Sequence, residues 1–427
     1  MKTIQQPAPQ PARVPAWSPW RTVVWFGIVS LSADMVYEGA RAITGPYLAG
    51  LGASALVVGV VTGAGEAAAL VLRLVSGPLA DRSGAYWPLT IVGYAMTAVC
   101  VPLMAVAPFL GGAGLAFGAT MVLLERTGKA VRSPSKSALL AHAARSVGRG
   151  KGFAVHKALD QVGAFAGPLL VAGVIALTTH TWAGLATLAV PGAVAMVLLF
   201  VIRHRVPDMR VYDEPEPVVS RAEPAGAPPA SAGTTARVEV RRLPRDFHLF
   251  AISCAASTLG LMTFGLIGFH LSDAGLVRPA LVPVVYAVAM AVEAVSALAT
   301  GFAYDRVGAR VLLVLPFLVA LVPLLSLADR LGVALAGVLV WGAAVGVQDS
   351  TVKALVADLV PSARLATAYG VFAAFQGAAA LAGGLLAGAL YDGGRLDLVL
   401  VIGACQAASL VLLLVVLRRP EVRRRDG

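Results

Sequence analysis

Ionisable side chains are scarce in this chain and oddly placed. Asp34, Glu38 and Arg41 lie inside one long apolar run at i, i+4 and i+7, a spacing that sets all three on one face of a helix. Glu66 and Arg73 stand in the same i, i+7 relation. Glu125, Lys129 and Arg132 form a second i, i+4, i+7 stripe with Arg126 beside it, and His156, Lys157 and Asp160 follow in the next run. An ionised residue at the centre of a membrane helix costs about 2.5 to 3.5 kcal/mol on insertion scales, so several together require a wet cavity or paired partners. Asp34 and Glu38, carboxylates one turn apart, repel each other and are therefore candidate proton carriers, with Arg41 tuning them. Glu66 is the next candidate, because its nearest same-helix cation, Arg73, is two turns away. The competing reading is a static charge network that only holds helices together.

The elements that carry these residues follow from composition. The chain has 427 residues, 58% hydrophobic and 13% charged, with mean hydropathy +0.79, a balance that belongs in a bilayer. Runs of about 20 apolar residues, the length that spans hydrocarbon, fall at 22–48, 55–80, 86–108, 112–134, 150–178, 182–203, 247–272, 278–303, 309–328, 331–355, 365–391 and 396–417. The reading is an all-α integral membrane protein with twelve transmembrane helices in two six-helix bundles, 22–203 and 247–417. Tails at 1–21 and 418–427 flank them, and a Pro-, Ala- and Glu-rich linker at 204–246 joins them and is expected to be largely disordered. The N-terminal stretch has no short apolar core of the kind a cleaved signal peptide carries. Net charge is +11, but the basic residues fall in short segments between apolar runs, which excludes a nucleic-acid-binding face.

Lys and Arg collect on one side: Arg82, the segment from Arg132 to Lys151, the linker, Arg306 and Arg310, Arg364, and the C-terminal tail. By the positive-inside rule that side, with both termini, is cytoplasmic, and the location expected is the cell inner (plasma) membrane. Trp17, Trp20, Trp25, Tyr86, Trp87 and Trp182 lie near helix starts, where aromatic groups suit the membrane interface. Cys100, Cys254 and Cys405 have neither disulfide nor metal spacing and are read as packing residues; no metal site is expected.

The segment "SGPLADRSGA" at 76–85 returns as "TGFAYDRVGA" at 300–309. Gly77, Asp81, Arg82, Gly84 and Ala85 recur as Gly301, Asp305, Arg306, Gly308 and Ala309, each 224 positions later. At an offset of 216, "SALLAH" (137–142) aligns with "KALVAD" (353–358), and Ala166 and Gly167 with Ala382 and Gly383. Duplicated halves of this kind are how many transporters are built. The repeated glycine, "DR" and glycine pattern resembles the signature loop of the major facilitator superfamily, found between the second and third and between the eighth and ninth helices. The first copy departs from the family pattern with Ala85, Tyr86 and Trp87 after the second glycine, while the second copy keeps Arg310.

The resemblance implies two pseudo-symmetric bundles that rock about a midplane cavity, with Asp81 and Asp305 stabilising one closed cytoplasmic side. "LLERTGKA" is similar to the family's fourth-helix motif, which implies a proton-coupling role for Arg126, although Ala130 replaces the usual glycine. "GAFAGPLLVAG", with Gly163, Gly167, Pro168 and Gly173, is similar in part to the Gly-Pro antiporter motif of exporters and implies bacterial drug/proton antiporter-like members as relatives. Glycines at i, i+4 also serve ordinary close helix packing.

The resulting expectations are a proton-coupling set of Asp34, Glu38, Arg41, Glu66, Arg126 and Asp160, and a substrate cavity of Lys129, His156, Lys157, Glu293, Trp341, Gln348, Phe372 and Gln376. The cargo expected is a small organic, apolar or amphipathic compound leaving the cell. Uptake of an organic anion is the alternative, favoured by Arg41, Arg126, Lys129 and Lys157, and a non-transporting sensor or scaffold is an alternative of another class. No Walker loop, dinucleotide fingerprint or HExxH pair is present, so neither an enzyme nor a bound cofactor is expected; the coupling ion expected is a proton and the assembly expected a monomer.

Overall fold

A computed structural model describes residues 17–213, 243–360 and 364–418, and all of its regular structure is helical. The first half comprises α1 (Pro19–Gly50), α2 (Ala55–Ser83), α3 (Tyr86–Phe109), α4 (Gly114–Val147), α5 (Arg149–Thr178) and α6 (Thr181–Arg205). The second comprises α7 (Arg245–Asp273), α8 (Val282–Val307), α9 (Val314–Ser326), α10 (Leu331–Leu359), α11 (Leu365–Tyr391) and α12 (Arg395–Leu417). Ten stretches meet the length and hydropathy of a membrane span. The stretch Pro279–Ser326 holds both α8 and α9, joined by a 3-10 turn at Gly308–Leu313, and α4 falls outside the ten because of its charges, which brings the helices to twelve.

Several boundaries differ from the sequence reading for clear reasons. Helix α4 runs on to Val147 because Leu139, Leu140, Ala143 and Ala144 bury an apolar stripe against the first half. Ordered structure also enters the predicted linker. The turn Met209–Tyr212 is packed down, with Met209 and Tyr212 buried, the Tyr212 hydroxyl donating to the Trp17 carbonyl at 2.9 Å and Ser146 donating to the Tyr212 carbonyl at 2.8 Å. Asp213 meets His142 at 2.8 Å and Arg145 at 3.2 Å. The rest of that linker, 214–242, lies outside the described residues, as do most of both tails. Trp17 and Trp87 are not interfacial anchors: both are buried in a cluster with Phe26. The three cysteines are free.

Gly84 (φ 63°, ψ 8°) ends α2 in a left-handed helical cap, and Gly308 (φ 65°, ψ −154°) ends α8 also at positive φ but in an extended turn, so both "DR" segments use the freedom of glycine in different ways. The duplication is also visible in packing. Gly167 of α5 rests on the backbone of Met35, and Gly383 of α11 rests on that of Leu259; the glycines differ by 216 and their partners by 224. Gly163 sits the same way on Leu31. A side chain at any of these glycines would run into a neighbouring backbone, so close packing accounts for the first part of the fifth-helix motif.

Core packing shows how the halves meet. One apolar cluster unites them at the end away from the "DR" loops, joining Ile43, Leu48 and Val58 to Phe264, Ile267 and Tyr286. At the "DR" end each half keeps its own cluster, around Phe26, Leu140 and Leu199 in the first and Phe250, Leu312 and Val356 in the second. At the far end Gly45 packs on Gly265 and Phe269, and Gly59 and Gly63 on Gly384, leaving no room for side chains. The halves share one core at the far end and keep separate cores at the other, where α2 and α11 still touch at Leu74 and Gly370.

Candidate functional site

Helix α7 breaks at the level of this shared core, the seal between the halves, between Gly260 and Phe264. The Trp341 indole donates to the freed Met262 carbonyl at 2.8 Å, which satisfies a backbone group that lipid could not. Next to the break, the Thr263 and Thr62 hydroxyls meet at 2.7 Å across the halves. Tyr286 of α8 donates to Glu38 of α1 at 2.5 Å, a second link between halves. Trp341 is only 1% exposed and packs behind Phe264 and Tyr286, so it supports the seal rather than lining a cavity.

Directly beneath lies a closed ion network. Glu66 takes Arg41 at 3.0 Å and Arg126 at 3.5 Å, Arg41 also reaches Glu38 at 3.7 Å, and Arg126 reaches Glu125 at 3.6 Å. Arg126 donates to the Tyr37 hydroxyl, and its guanidinium lies 4.6 Å from the centre of that ring. Thr97 donates to Glu125 at 3.3 Å. The enclosed space, about 10 Å³ lined by Arg41, Thr62, Glu66, Arg126 and Thr263 among others, holds at most one water. Glu66 is thus gripped by cations from α1 and α4 that its own helix does not reveal, and Arg126 pairs with Glu66 and Glu125, not with Asp160.

A second cluster lies one turn nearer the "DR" end. Asp160 of α5 accepts from Ser30 at 2.9 Å and from Lys157 at 3.2 Å, while Lys136 donates to Ser30 at 3.0 Å. Asp34 of α1 lies beside Asp160 of α5, the carboxyl groups being direct electrostatic neighbours. Two carboxylates side by side offer only acceptors and repel as anions. His156 is buried beside Lys136, Lys157 and Asp160, with its Nε2 unpartnered. So the α1 stripe is divided: Glu38 and Arg41 belong to the network under the seal, Asp34 to the α5 cluster.

The second half builds the equivalent place without charge. Asp34 and Asp160 correspond to Thr258 and Gln376 at offsets of 224 and 216, and Thr258 donates to Gln376. Gln348 donates to Thr258 at 2.9 Å. His156 corresponds to Phe372, which stacks on Phe250 and is core rather than cavity lining. Glu293 is half-buried and looks from α8 towards Glu38, Arg41, Lys157 and Asp349. Lys157 and Asp349 are exposed and close enough to interact across the halves. Beneath the seal the halves thus leave a gap beside which Glu293 is half-buried and Lys157 and Asp349 are exposed.

At the loops themselves, Asp81 is exposed and accepts from Tyr86 at 3.0 Å; Arg82, Asp305 and Arg306 are exposed too. Gly77 faces Pro134 of α4, with Ser76 donating to the Ala130 carbonyl at 2.8 Å. Gly301 has open space beside it, where a crevice of about 310 Å³ runs between α8 and α10 past Phe302, Asp305 and Ser350. Tyr37, Tyr286, Ser30, Lys136, Thr62 and Thr263 are site residues that sequence reasoning missed. Ser30 (i−4 from Asp34), Tyr37 (i−4 from Arg41), Thr62 (i−4 from Glu66) and Lys136 (i+4 from Arg132) were within reach of spacing along their own helices, whereas Tyr286 and Thr263 are recognised only through the first half.

A family profile described as Major Facilitator Superfamily matches residues 21–328 and 277–427. An uncharacterized protein of Mycobacterium tuberculosis is 52% identical over 409 residues, covering 96% of this chain and 95% of that protein. An uncharacterized MFS-type transporter of Methanocaldococcus jannaschii is 22% identical over 379 residues, covering 87% and 88%. The crystal structure of the nucleoside transporter NupG superposes with a TM-score of 0.60 at 15% identity, covering 93% of this chain and 98% of that one, a likeness of fold.

Proposed function

The chain belongs to the major facilitator superfamily and is a multi-pass membrane transporter; from that premise we propose that it moves a small organic compound by alternating access, coupled to protons carried by the Asp34–Asp160 pair. The observation that carries the coupling is the carboxyl-beside-carboxyl placement between α1 and α5, one turn from the Glu38–Tyr286 link that helps close the far end. Loss of a proton held by the pair leaves two anions side by side, and their repulsion pushes α1 and α5 apart. Because α1 also carries Glu38, Arg41 and the Gly45 contact with α7, such a shift bears directly on the seal. Lys157 and Ser30 then offer the released charge a partner.

The basic segments argue for "DR" loops on the cytoplasmic face of the plasma membrane. The direction proposed is export, on the fifth-helix resemblance. Asp81 and Asp305 act at the cytoplasmic ends of the halves when these close. Purified protein in liposomes, given a compound library under pH gradients of either sign, tests this. The expected result is internal acidification or alkalinisation that depends on one added compound and is absent in Asp34→Asn; compound-dependent proton movement of wild-type size in that variant would refute the assignment.

A further inference from the structure

Two half-buried charged side chains, one from each half, stand near Glu38 and Arg41 without an ion pair among the described residues; Arg73 of α2, whose Nε has no partner, is a further cation on the first half. On the first half, the Lys129 ammonium sits 3.3 Å over the centre of the Tyr37 ring, one turn from Arg126 towards the "DR" end, and makes no ion pair among the described residues. On the second, Glu293 lies two turns beyond Tyr286 on α8 and makes no hydrogen bond or ion pair among the described residues. Both are half-buried, and both have Glu38 and Arg41 as electrostatic neighbours, so they look into the same space from opposite halves. Their charged neighbours are largely paired: Arg41 and Arg126 with Glu66, and Asp160 with Lys157 and Ser30.

We infer that the transported compound is a zwitterion, its anionic group met by Lys129 and its cationic group by Glu293. A charge held in a partly desolvated gap favours a ligand that pairs it, and a ligand bearing only one charge leaves the other protein group unpaired. A doubly charged compound also spans the two halves, so its binding draws α4 and α8 together beneath the seal, which is the movement that alternating access requires. The assignment rests on the transport reading above and adds the substrate class to it.

The test uses a ladder of ω-aminocarboxylic acids of increasing chain length, each beside the carboxylic acid and the alkylamine of the same length, with binding to purified full-length protein read as a thermal-melt shift. The expected result is one length of amino acid that binds at least about tenfold tighter than both singly charged partners. Glu293→Gln should lower that compound to the level of the carboxylic acid, and Lys129→Gln to the level of the alkylamine. If no length exceeds its singly charged partners, or if the preference survives both substitutions, the inference is wrong. Proton-linked flux of some other compound without such a preference overturns this inference alone. Absence of binding together with absence of proton-linked flux for any library compound overturns the transport reading as well.

Discussion

The two halves share a backbone plan but not a chemistry. Where the first half brings Asp34 against Asp160, the second brings Thr258 against Gln376; where the first has Glu38, Glu66 and Glu125, the second has Met262, Met290 and Trp341 at offsets of 224, 224 and 216. The neutral set packs, hydrogen-bonds and fills its core, so the fold does not need charge at these positions. Charge in the first half is therefore an addition to the scaffold, placed beside the links that hold the far end shut. The second half contributes Glu293, half-buried on α8, at a position whose counterpart is Ala69.

The comparison can be broken most severely at the paired positions. Asp34→Asn or Asp160→Asn should stop flux driven by a pH gradient, whereas Gln376→Ala in the equivalent place should leave that coupling intact; gradient-driven uptake into liposomes measures both. Glu66→Ala should cost about 3 to 5 kcal/mol by leaving Arg41 and Arg126 short of their common partner. Its counterpart allows a gentler exchange, and Met290→Leu should cost less than about 1.5 kcal/mol; thermal unfolding in detergent compares them. Gly167→Val and Gly383→Val should cost about the same, roughly 1 to 3 kcal/mol each, because both drive a side chain into the backbone of the matching helix. The smallest effect expected is for Asp81→Asn, which loses an exposed bond from Tyr86 and should slow transport about twofold with expression intact. Wild-type rates would remove Asp81 from the working parts.

Much of this fold is legible in the residues. Apolar runs long enough to cross hydrocarbon mark the helices, and Gly77, Asp81, Arg82 and Gly84 recurring at 301–308 reveal the doubling. The stripes on α1 and α4 are legible too, because i, i+4 and i+7 share a face on any helix. What spacing along one helix cannot show is which helices are neighbours. Glu66 reads as free of cations until α1 and α4 close on it, and Asp34 reads as the partner of Glu38 until α5 presents Asp160. Trp341 and Phe372 read as cavity aromatics because composition does not say on which side of α10 and α11 the gap lies.

The central claim is that the carboxyl pair carries the proton and the scaffold does not require it. Its most direct test copies the second half into the first, Asp34→Thr with Asp160→Gln, and follows two readouts in the same liposomes: exchange of a transported compound at equal concentrations, and proton movement by an entrapped pH dye. Exchange should persist while proton movement disappears. Proton movement that continues in step with exchange would contradict the account.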